Sequence, residues 1–142
     1  MKRVLIINGP NLNLLGKREV EIYGEKDYQC LVEEISKRAL ELNMEVKIFQ
    51  SNSEGEIINF IHKNMDWAEG IIINPAGYST TSVAILDALR SFKGIVVEVH
   101  ITQIFRREEF RKHLLTARSA HGLICGLGIE GYLLAMEYLK QL

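Results

Sequence analysis

The residues best suited to chemistry sit in the first loop of the chain. An apolar run, Val4–Ile7, opens directly into Asn8-Gly9-Pro10-Asn11-Leu12-Asn13-Leu14-Leu15-Gly16, then Lys17-Arg18 and Tyr23-Gly24. A strand that runs out into three asparagines held by Gly and Pro builds a polar site rather than a simple turn. A basic pair ahead of a tyrosine is one way to make a phenol acidic enough to act as a base. An unperturbed phenol has a pKa near 10, so ionising it at pH 7 costs roughly 4 kcal/mol. One guanidinium at about 4 Å, at an effective dielectric near 20, supplies about that much. Tyr23 is the candidate base.

A second group lies at Glu98-Val99-His100. The period of two in a strand puts Glu98 and His100 on one face. A carboxylate beside an imidazole fixes its tautomer and keeps it protonated, as a general acid requires. Ile101-Thr102 follows and can offer backbone N–H groups and a hydroxyl to an anion. Arg106, Arg107 and Arg111 come next, and spacing of four puts Arg107 and Arg111 on one helical face, suited to a carboxylate-bearing substrate. Asn74 ends a third apolar run and is a further candidate contact. Asp87 falls inside a helical segment and reads as solvated unless a neighbouring subunit brings it to a site.

These residues are positioned by alternating strand and helix signals. Strands are expected at Val4–Ile7, Met44–Ile48, Ile71–Ile73, Ile95–Val99 and Leu123–Cys125. The helical stripe Tyr28, Leu31, Val32, Ile35, Ala39, Leu42 has Asp27 as its N-cap. Ser53-Glu54-Gly55-Glu56 fits a capping box ahead of Ile57, Ile58, Ile61 and Met65. Further helices are predicted over Ser82–Leu89, a short charged stretch from about Arg107 to His113, and Gly131–Leu139. The alternation implies an α/β fold with a parallel sheet covered on both faces by right-handed crossovers. The flavodoxin-like three-layer sandwich with a five-stranded sheet of order 2-1-3-4-5 is favoured, and pattern alone does not decide that order. Ligands of such sheets bind at the carboxyl ends of the strands, which points to Asn8–Asn13, Gln50-Ser51-Asn52, Asn74–Thr81, His100–Gln103 and Gly126–Gly128.

The 142 residues suit one domain with a real core. A net charge of −1 provides no global field toward nucleic acid or a membrane. No apolar stretch reaches membrane-spanning length, and no signal-peptide pattern opens the chain, so a cytoplasmic protein is expected. Cys30 and Cys125 are isolated and read as reduced core thiols; the four histidines form no metal-ligand pair. Gly126-Leu127-Gly128-Ile129-Glu130-Gly131 matches GxGxxG, which raises a nucleotide- or flavin-binding module on the same fold. Only eleven residues follow Gly131, too few for the strand that carries the acidic ribose contact, so the glycines read as a tight strand-to-helix turn.

Across these motifs the chain resembles the type II 3-dehydroquinate dehydratases over essentially its whole length. The motifs are Asn8–Gly16, Arg18-Glu19 with Tyr23-Gly24, Gln50-Ser51-Asn52, Ile73-Asn74-Pro75, Thr81–Ala84, Glu98–Ile101, Arg107–Arg111 and Gly126–Tyr132. The resemblance implies a flavodoxin-like fold, no cofactor, no metal, and loss of water from 3-dehydroquinate to give 3-dehydroshikimate. It implies Tyr23 as the base at C2, Arg18 as the cation that acidifies it, and Asn11 as the holder of a water against the enolate oxygen. His100, oriented by Glu98, is implied as the acid for the departing hydroxyl. Asn74, Ile101, Thr102 and Arg111 match substrate contacts, Arg107 belongs to the same motif, and Asp87 matches an aspartate that reaches a neighbour's site. Trimers assembling into a dodecamer are implied. Thr80 replaces a histidine that normally contacts a substrate hydroxyl, Leu86 replaces an arginine, and Ala76-Gly77 inverts the usual Gly-Ala. A relative that acts on a related hydroxylated cyclic acid is therefore the other enzymatic expectation.

Overall fold

The computed structural model describes residues 1–142. Five parallel strands form one sheet in the order β2-β1-β3-β4-β5. They are β1 (Lys2–Asn8), β2 (Met44–Gln50), β3 (Gly70–Asn74), β4 (Ile95–His100) and β5 (Gly122–Cys125). The helices are α1 (Val20–Tyr23), α2 (Tyr28–Glu41), α3 (Glu54–Asn64), α4 (Val83–Ser91) and α5 (Glu130–Lys140). The strand order is the expected one, and each predicted strand is present with an end extended by one or two residues.

The strand period sorts the apolar residues into two cores. Val4, Ile6, Ile72, Val97 and Val99 pack against α2 and α5 on one face. Leu5, Ile7, Ile71, Ile73 and Val96 pack against α3 and α4 on the other. Because β1 and β3 are central, successive side chains are buried on both faces, and their sequences are nearly unbroken Ile, Val and Leu. Each such side chain contributes about 1.5–3 kcal/mol on leaving water. The edge strand β2 instead alternates buried and exposed residues at its start.

Helix starts follow local chemistry. The Asp27 carboxylate accepts from the Cys30 N–H at 2.8 Å. Ser53 accepts from the Glu56 N–H, but the reciprocal half of the expected capping box is absent. The Glu56 side chain bonds Ser51 instead. Ser82 caps α4 rather than opening it.

One predicted helix is not formed. The stretch near Arg107–His113 contains short 3-10 turns at Ile104–Arg106 and Glu109–Lys112, with Arg107 extended between them. Its ion pairs, Glu108–Arg111 and Glu109–Lys112, are spaced i,i+3, which matches the tighter turn. Cys30 and Cys125 are half-buried rather than core residues.

Candidate active site

At the carboxyl edge of the sheet a cavity of about 300 Å³ opens among the ends of β1, β3 and β4. Three guanidiniums, from Arg18, Arg107 and Arg111, border it, and no carboxylate does. A chain of net charge −1 thus carries a locally cationic hollow, suited to an anion. Asn11, Tyr23, Asn74, Thr80, His100, Ile101 and Thr102 also line it, so ten of the residues singled out above meet here. Glu98 stands behind His100. Asp87 does not: it is exposed on α4 and does not line the cavity.

Tyr23 ends α1, and the following Gly24 has φ of 91°, a left-handed turn suited to glycine. The Arg107 Nη1 donates to the Tyr23 hydroxyl at 2.7 Å and reaches Thr102 Oγ1 at 3.4 Å. Arg18, the expected partner, lies over the Tyr23 ring at 4.7 Å from its centre and pairs with Glu19 at 2.8 Å. The guanidinium on the phenolic oxygen is therefore Arg107. A polar helical-face reading of Arg107 missed this, because the contact spans 84 residues and carries no local signal.

Two other tyrosines border this region of the molecule and differ in kind. Burial pushes the Tyr28 phenol above its usual value. Burial pushes Tyr132 much further up. Tyr132 is fully buried, donates to Asn8 Oδ1 at 2.6 Å and accepts from Asn74 Nδ2 at 3.0 Å. The carbonyl of the same Asn74 amide accepts from the Ala76 N–H at 3.1 Å. Asn74 thus braces the cavity floor and spends its side chain largely inside the protein.

Glu98 and His100 point the same way from β4, as the period of two requires. His100 Nε2 lies 2.7 Å from Glu98 Oε2, and both residues are buried. The His100 Nδ1 makes no hydrogen bond to protein and is not sealed in the interior. Glu98 Oε1 accepts from the Thr116 hydroxyl at 2.6 Å. Thr116 opens a short 3-10 turn, Thr116–Ser119, that leaves no periodic signal in the sequence, and sequence reasoning had no handle on it. The N–H groups of Ile101 and Thr102 are not taken up by other backbone carbonyls. The carboxyl of Glu108, outside the cavity lining, is held below the usual carboxylate range by its hydrogen bond from Arg111.

Two expected edge segments serve other ends. Gln50 and Asn52 turn toward the first loop, not into the cavity. Asn52 Oδ1 accepts from the Asn11 N–H at 2.9 Å, and Gln50 donates to the Gly9 carbonyl at 3.1 Å. This bracing holds Asn11 at φ of 70°, an unusual conformation for a non-glycine residue. The GxGxxG segment forms the tight turn into α5. The Gly128 N–H bonds the Ile101 carbonyl at 3.0 Å, and a Cβ on Gly131 would press on Val99 and Ile124 at 3.2 and 3.3 Å.

A phenol on a guanidinium and an imidazole on a buried carboxylate, at the switch edge of a doubly wound sheet, are groups chemically suited to proton transfer. The family model described as dehydroquinase class II matches residues 2–140. The 3-dehydroquinate dehydratase of Halothermothrix orenii is 56% identical over 137 residues, covering 96% of this chain and 93% of that one. The type II dehydroquinase structure from Butyrivibrio crossotus superposes with a TM-score of 0.95 at 44% identity, covering 97% of each chain. That from Propionibacterium acnes gives 0.96 at 39% identity, covering 99% of this chain and 97% of the other. The chain belongs to the class II dehydroquinases.

Proposed function

We propose that this protein is a hydro-lyase that removes water from 3-dehydroquinate to give 3-dehydroshikimate. The observation that carries the reading is one cationic cavity lined by both Tyr23, hydrogen-bonded to Arg107, and His100, backed by Glu98. Family membership and the named relatives support the substrate.

The chemistry follows from the groups present. Arg107 stabilises the phenolate of Tyr23, which takes the proton from C2. The electron pair moves toward the C3 carbonyl and forms an enolate. Asn11 holds a water that donates to that oxygen. The pair then returns to form the C1–C2 double bond as the C1–O bond breaks. His100 gives its proton to the leaving hydroxyl, which departs as water. Solvent takes the proton from Tyr23 and restores that of His100. Arg111 and the free N–H groups of Ile101 and Thr102 bind the substrate carboxylate. Removing a proton next to a carbonyl needs such oxyanion support because the charge develops on oxygen. Arg18 acts on Tyr23 through the ring face, as a secondary cation.

The product is a conjugated enone, so its ultraviolet absorbance reports turnover directly. Purified protein with 3-dehydroquinate is expected to generate that absorbance. A folded preparation that gives no product at high substrate concentration would sink the reading.

A further inference from the structure

Glu98 is fully buried, and its two oxygens have different partners. His100 takes Oε2, and the Thr116 hydroxyl takes Oε1 at 2.6 Å. Thr116 is itself fully buried, and its side chain makes no other hydrogen bond. A threonine hydroxyl carries a single proton. Here that proton has one acceptor, Oε1. A carboxylate this deep is costly unless both oxygens are satisfied, and Thr116 satisfies the one that His100 leaves. Cys125, opposite His100 across β4 and β5, adds no competing charge near neutral pH, because burial pushes its thiol up to about 11.

We propose that Thr116 is a positioning residue for the acid step. Its hydroxyl donates to the Glu98 oxygen that His100 leaves, so His100 donates Nε2–H to Oε2 and turns Nδ1 to the cavity. The inference rests on the elimination proposed above, in which His100 delivers a proton. It assigns that proton to Nδ1.

Thr116→Val keeps the side-chain volume and removes the donor, whereas Thr116→Ser keeps the donor. With 3-dehydroquinate, the valine variant is expected to lose on the order of tenfold or more in kcat, with KM changed by less than about twofold. The serine variant is expected to stay within about threefold of wild type on both. Nitrogen NMR of the unliganded, histidine-labelled protein reads the ring itself. Wild type and Thr116→Ser should show the Nε2–H tautomer when neutral, and Thr116→Val a mixture. An unchanged kcat in Thr116→Val, or equal losses in both variants, overturns the proposal. So does an Nδ1–H tautomer in wild type, a measurement that needs neither substrate nor a folded variant. If wild type fails to dehydrate 3-dehydroquinate, the functional reading falls, and the tautomers alone decide the role of Thr116.

Discussion

Arg107 donates to the Tyr23 oxygen at 2.7 Å, while Arg18 lies above the ring and is already paired with Glu19. A donor on the oxygen stabilises the phenolate directly. A cation over the ring face of a partly exposed tyrosine contributes only about 0.5–1 kcal/mol. Arg107→Ala should therefore lose more activity at neutral pH than Arg18→Ala. Its activity should climb as pH approaches about 10, where a phenol ionises unaided. Rate–pH profiles of both variants check this, and a steeper recovery in Arg18→Ala would return the role to Arg18. Thr80 raises a different residue-scale question. Its hydroxyl donates to the Gly77 carbonyl at 3.2 Å, so its one proton is spent within its own loop. Thr80→His supplies a longer donor facing the cavity. A neutral hydrogen bond is worth about 0.5–1.5 kcal/mol net, so kcat/KM should rise by no more than roughly tenfold. An unchanged or lower value would show that this cavity meets its substrate differently and would favour a related cyclic acid.

The turn after β3 sets a contest between two neighbouring residues. Ala76 has φ of 54°, in the left-handed region, and its Cβ makes that conformation costly by about 1–2 kcal/mol. Gly77 does not have positive φ, and a Cβ added there meets nothing within 4 Å. The Gly-Ala order usual in this family therefore suits the backbone better than the Ala76-Gly77 order here. The double variant Ala76→Gly, Gly77→Ala should be more stable by about 1–2 kcal/mol. Strain is relieved at position 76, while the unfolded-state freedom lost at position 77 offsets that gained at 76. For a domain of this size that is a rise in Tm of roughly 3–8 °C by calorimetry. A lower Tm would mean that the turn has adapted around its inverted order. The same turn holds Tyr78, whose hydroxyl donates to the Asn52 carbonyl at 2.9 Å, and Asn52 in turn holds Asn11. A change in this turn should therefore also alter kcat.

At the scale of the molecule, the arginines around the cavity contrast with a chain of net charge −1. The cationic field is local, and it is partly offset by Glu19 and Glu108, which lie outside the cavity lining and pair with Arg18 and Arg111. Substrate affinity should accordingly fall with added salt, through KM rather than kcat. No helix is long and apolar enough to cross a membrane. Asp87 is exposed on α4, and Leu123 and Val83 are among the exposed apolar side chains. If Asp87 serves a neighbour's cavity, the protein is a homo-oligomer, trimers within a dodecamer by family resemblance. Light scattering is then expected to give a mass many times the 16.2 kDa of the chain. A fully active monomer would remove any need for a neighbour.

The sequence by itself determined the elements that local periodicity and capping control. Alternating buried runs specify the strands, because a central parallel strand must be apolar on both faces. Asp27 and Ser53 mark their helices because a cap is satisfied within three residues. Glu98 and His100 could be paired in advance for the same reason, as two residues apart on a strand share a face. The helix expected near Arg107 failed because its geometry is set by a contact to Tyr23, far away in sequence. Thr116 and Tyr132 were invisible as site-supporting groups. Their partners, Glu98 for one and Asn8 with Asn74 for the other, lie on strands that only the sheet order brings beside them. Which arginine touches the phenol and which hydroxyl holds the buried carboxylate were decided by tertiary packing. Such contacts depend on distances between elements, and no spacing along the chain encodes them.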